Sequence, residues 1–194
     1  IVFSITDPSP TAFNVTTPSP LVICSGDNVT ITLNNSESGV TYEILRGLAS
    51  LPTPITFPGT GAGPFVMTFP SAQFSNGDAI NVLASNGFCT SVLMNGTVNL
   101  TVNPLPSIAG VSVAPICEGI TSTSLTYTST SGSPNQYSID FDLTAEGQGF
   151  VDITNAALTA SPIALNIPGA AAPGVYSGVL SVRNSLTGCS IISG

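Results

Sequence analysis

The chain has 194 residues and a mass of 19.5 kDa, enough for two domains of about 90 residues each. Only 6% of residues are charged, there is no Lys, His or Trp, and Arg46 and Arg183 stand alone against ten carboxylates, for a net charge of -8. That composition excludes a Ser-His-Asp or Cys-His catalytic set, a His-ligated metal, a lysine-bearing phosphate loop and a basic nucleic-acid surface.

Short alternating segments run along the whole chain. Asn28–Leu33 (NVTITL) puts Val29, Ile31 and Leu33 on one face and Thr30 and Thr32 on the other. Val40–Leu45, Phe65–Phe69, Ala79–Ser85 and Val98–Val102 follow the same rule, and further on come Ser124–Thr128, Gln136–Phe141, Ile163–Ile167 and Val175–Val182. Period-2 patterning, β-branched enrichment and Gly/Pro/Asn/Asp punctuation predict strands. The best helical stretch is Thr154–Ala160, one turn at most before Pro162 closes it. Mean hydropathy is high, but every long uncharged stretch is broken by Pro, Gly or polar residues and fails as a membrane-spanning helix. The expected class is all-β, with two inner sheet faces forming the core of a sandwich.

The sequence also repeats itself. Asp7-Pro8-Ser9-Pro10-Thr11 matches Asn103-Pro104-Leu105-Pro106-Ser107; Cys24-Ser25-Gly26 matches Cys117-Glu118-Gly119; Gly87-Phe88-Cys89-Thr90 matches Thr187-Gly188-Cys189-Ser190. The offsets are 96, 93 and 100 residues, which suits tandem sandwich modules rather than a solenoid. The expected division is residues 1–7 as the last strand of a preceding repeat, 8–103 as one repeat, and 104–194 as a second whose last strand is incomplete. On this reading the sequence is a window on a longer array. Its Pro-x-Pro linkers fix φ and act as semi-rigid spacers, so the array is expected to be stiff and extended.

The repeat also suggests how the cysteines pair. Of three possible connectivities, only Cys24–Cys89 with Cys117–Cys189 keeps each bridge inside a module. Loops of that length would each contribute roughly 4 kcal/mol. Such bridges imply an oxidising, extracellular setting; four buried free thiols are the alternative.

The second module carries a family resemblance. It runs from Cys117-Glu118-Gly119 through Ser131–Asp142 (SGSPNQYSIDFD) to Gly174–Ser185 (GVYSGVLSVRNS) and Thr187-Gly188-Cys189. With the Asn103–Pro106 linker, it resembles the PKD-like, immunoglobulin-like repeats of giant Bacteroidota surface proteins. Repeats of this kind occur in gliding-motility adhesins of the SprB type and other type IX secretion cargo. The resemblance covers module two almost entirely and module one more loosely. It implies tandem immunoglobulin-like β-sandwich domains in an extended array, acting as a stiff spacer in an adhesive filament on the bacterial surface. The implied partners are neighbouring repeats of the same chain and the outer-membrane secretion or motility machinery. An accessory polysaccharide- or protein-binding module of a secreted enzyme is the alternative. The Trp-Asp-Phe-Gly-Asp-Gly strand of better-known PKD domains is reduced here to Ile139-Asp140-Phe141-Asp142.

Two groups of side chains merit weighing as sites. Asp140 and Asp142 alternate on one strand face, with Glu146 and Asp152 close in sequence; such oxygen ligands suit calcium, against the plainer reading of a solvated acidic face. Tyr176 is expected to bond backbone across a sandwich corner rather than stack on a sugar. No catalytic residue and no organic cofactor is expected.

Overall fold

The computed structural model describes residues 8–193; the strand expected at Ile1–Thr6 lies outside them. The chain is all-β and divides into two compact units, Ile1–Asn103 and Pro104–Gly194.

The first unit contains β1 (Leu21–Cys24), β2 (Asn28–Leu33), β3 (Thr41–Arg46), β4 (Ala49–Pro58), β5 (Phe65–Pro70), β6 (Ala79–Ser85), β7 (Val92–Leu93) and β8 (Val98–Asn103). One sheet runs β1-β8-β6-β3-β4, with β7 also on β6; the other is the hairpin-like pair β2-β5. The alternation read from sequence decides which side chains face inward. In β2, Val29, Ile31 and Leu33 are fully buried, and in β5 so is Met67, paired with Ile31. They pack on Tyr42 and Ile44 of β3, Ile80 and Val82 of β6, and Val98 and Leu100 of β8. The outward Thr30 and Thr68 hydroxyls bond each other at 2.9 Å across the same pair.

The order β1-β8 is parallel, with Leu21 opposite Leu100 and Cys24 opposite Asn103. This places Cys24 at the pole where the unit ends, here called distal. The proximal pole is marked by Pro8, whose carbonyl accepts from Asn86 Nδ2 at 2.9 Å.

The second unit contains β9 (Ser107–Ala109), β10 (Ser112–Val113), β11 (Ser122–Thr126), β12 (Ser129–Ser131), β13 (Gln136–Phe141), the single turn α1 (Leu143–Glu146), β14 (Ile153–Ala157), β15 (Ile163–Asn166), β16 (Gly178–Arg183) and β17 (Ser190–Ser193). The sheets are β14-β13-β16-β17, β10-β11-β15 and the pair β12-β9. Leu125, Ile163 and Leu165 pack against Tyr137, Ile139, Leu180 and Val182. Among the described residues this core holds eight buried side chains, against seventeen in the first unit. Its proximal pole holds the Leu105–Gly132 approach and the 3.1 Å bond from Asn184 Nδ2 to the Gly132 carbonyl.

The helical expectation at Thr154–Ala160 fails. Residues 153–157 pair with β13 as strand, and the one α-helical turn sits at Leu143–Glu146. Asp142 explains the displacement: its side chain accepts from the Ala145 N–H at 2.7 Å, which starts the turn, whereas Thr154 has no such role. Among the described residues no helix is long and apolar enough to cross a membrane.

Candidate functional site

The four carboxylates proposed for calcium do not gather. Asp142 caps α1 through Oδ1. Asp152 Oδ1 accepts from the Phe141 N–H at 2.9 Å, tying the β13 end to the following loop. Asp140 is exposed, and Glu146 lies in the first turn of α1. Two of the four are thus used as backbone acceptors. Among the described residues no three His, Cys, Asp or Glu side chains assemble as a cation site.

Tyr176 bonds backbone, though not from a strand. It lies in the loop before β16, where its hydroxyl donates to the Ala172 carbonyl at 2.5 Å. Its ring meets Phe150 at 5.0 Å, and Phe150 meets Phe141 at 5.2 Å. This tilted aromatic row holds the 168–177 loop over the distal end of β13, helped by the Ala172 N–H donating to Gln148 Oε1 at 3.0 Å.

The cysteines sit at the poles of each unit, which corrects the expected pairing. In the first unit Cys24 is level with Asn103 of β8. Val98 of β8 is level with Ile80 of β6, and β6 runs on to Ser85 before the loop that carries Cys89. Cys89 stays beside Asn86, whose Oδ1 accepts its N–H at 3.0 Å. At about 3.3 Å per residue the two cysteines are roughly 30 Å apart, far beyond the ~7 Å Cα limit of a disulfide. In the second unit Cys189 is buried at the proximal pole, its carbonyl accepting from Asn184 N at 2.9 Å. Cys117 is an exposed free thiol at the distal pole, beyond the Thr121 end of β11. A Cys117–Cys189 bridge is therefore not formed. Cys24 and Cys189 are disulfide-bonded.

One feature of the second unit was not read from its sequence. A cavity of about 710 Å³ opens at the distal pole, lined by Ile116, Ile120, Ile139, Phe141, Val175 and Leu180. Its rim includes the stretch Ala114–Cys117, which forms no strand although the matching Leu21–Cys24 does. The repeat itself carried the signal: the two stretches precede the same Cys-x-Gly step.

No protein-family profile matches the chain, and no curated protein matches it. Solved structures do match. A Ca2+-stabilized adhesin that helps an Antarctic bacterium reach out and bind ice aligns at 15% identity and a TM-score of 0.51. The alignment covers 95% of this chain and 48% of that one. The fold is an Ig-like β-sandwich. The chain spans about half the length of that solved adhesin, and at this identity the likeness establishes fold alone. The human OSCAR ligand-binding domain (15% identity, TM-score 0.32, 96% of this chain and 95% of that one) and the chicken CNTN1 FN1-FN3 domains (13%, 0.39, 97% and 67%) also align, at scores too low to carry an argument.

Proposed function

We propose that this chain is a segment of repeat modules from a large adhesive protein on a bacterial cell surface, serving as a stiff extracellular spacer. The observation that carries this reading is the recurrence of linker, first cysteine and last cysteine at offsets of 93 to 100 residues in an Ig-like chain that divides at Asn103. The PKD-like resemblance of the second module supports a gliding-motility adhesin delivered by type IX secretion, with the array's own neighbouring repeats and the outer-membrane motility machinery as partners. The Antarctic adhesin, which reaches out to bind ice, supports the spacer role by fold. On this reading 8–103 is one complete repeat, 104–194 a second lacking part of its last strand, and the Pro-rich linkers limit bending between them.

Immunogold labelling of intact source cells with an antibody against this segment tests the reading. Label along surface filaments, and loss of surface spreading when the gene is deleted, are expected. Label confined to a soluble secreted enzyme overturns it in favour of an accessory binding module.

A further inference from the structure

The first unit shows what its distal pole needs to be closed. There β8 lies between β1 and β6: Leu21 and Ile23 of β1 sit opposite Leu100 and Val102, and Ile80 of β6 sits opposite Val98. Val98 and Leu100 are each 1% exposed, plugging the core. Just before β8, the Met94 N–H donates to the Val82 carbonyl at 2.8 Å.

The second unit follows the same plan up to that point. β16 pairs with β13 as β6 pairs with β3, and Ser193 sits opposite Leu180 as Met94 sits by Val82. Among the described residues the ladder is recorded as far as Ser193. Among the described residues nothing pairs with Gly178 and Val179 on that side, and Val179 is 49% exposed. Ala114–Cys117, the counterpart of β1, joins no strand ladder among the described residues, and Ile116 is 41% exposed. The apolar cavity lies between these two edges.

We propose that this cavity is the slot for one further β-strand of the same polypeptide, following Gly194 and carrying apolar side chains at alternate positions, as β8 does. It would run antiparallel to Gly178–Val179 and parallel to Ala114–Cys117. The inference rests on the repeat reading above, and the commitment to this occupant comes from the first unit, where the same two edges are filled by the chain's own next strand.

Hydrogen exchange on the native full-length protein tests it. The amides of Ile116, Cys117 and Val179 should exchange at least about tenfold more slowly than in the 194-residue segment alone. Grafting the residues of Asn95–Asn103 after Gly194 should restore the same protection. Equal exchange in all three forms overturns the proposal. So does protection of the bare segment that rises with concentration alongside dimer formation, because the occupant is then a second copy. Fast exchange in a protein imaged as a repeat filament sinks this inference and spares the array; protection by the graft in a protein imaged without repeats does the reverse.

Discussion

Tyr42 is fully buried, yet its hydroxyl has a partner: it accepts the Glu37 N–H at 2.9 Å, five residues upstream. Burial raises its pKa above the ordinary value; the Glu37 backbone bond pulls the other way, and the Glu37 charge adds to the rise. The folded state thus holds the phenolic proton more tightly than the unfolded chain. This stabilisation is complete below the unfolded value of about 10 and is lost as pH rises through the raised folded value. The melting temperature should therefore fall as pH climbs past about 10, and fall less in Tyr42→Phe. At neutral pH the same variant should lose about 1 kcal/mol for the missing bond, read by denaturant titration. Gly59 lies against the same plug. A Cβ there would collide with the Glu37 carbonyl and the Tyr42 ring, so Gly59→Ala should cost about 1–3 kcal/mol in that titration. A buried tyrosine in an alternating strand was legible as core; that its hydroxyl would fasten the preceding loop was not, since that depends on how the 34–40 turn folds back.

At the scale of elements, alternation worked where one face is buried. β2, β5, β6 and β13 appear within a residue of their expected bounds because a one-residue slip would turn every core side chain outward. Met67, opposite Ile31 in the β2-β5 pair, is fully enclosed, and Met67→Ala should cost about 2–5 kcal/mol by chemical denaturation. Strands without a clean alternation escaped notice. β4 contains Pro52, Pro54 and Pro58, which break the alternation, but it lies at the sheet edge, where the absent N–H groups cost no ladder bonds. The start of β16 was placed three residues early because Val175 and Tyr176 look strand-like; the aromatic row with Phe150 holds them in a loop instead. The acidic set failed for a related reason: proximity in sequence says nothing of which backbone N–H a carboxylate will take.

For the whole molecule, the repeat offsets and the division into two units meet at Asn103, while the cysteine pairing needed the sheet order. Sequence distance showed which cysteines shared a module, but only the register showed that they stand at opposite poles. Both arginines are the last residues of central strands, Arg46 of β3 and Arg183 of β16, and each is paired on both sides. Trypsin can reach them only when a sheet opens, so the folded segment should survive a digestion that rapidly cuts the denatured chain, as gel electrophoresis would show. With its carboxylates dispersed or bonded to backbone, the segment should melt at the same temperature with and without EDTA, in calorimetry. A clear drop would reveal a cation held by groups not brought together here.

The parallel alignment of β1 with β8 has a mechanical consequence. In the first unit the chain comes in at the proximal pole and leaves at the distal one, so tension drags β1 backward and β8 forward along a shared ladder. The bonds from Leu21–Leu100 to Cys24–Asn103 are then loaded in shear, all together, rather than unzipped one after another. A module wired this way resists pulling along its length better than one whose terminal strands peel apart bond by bond.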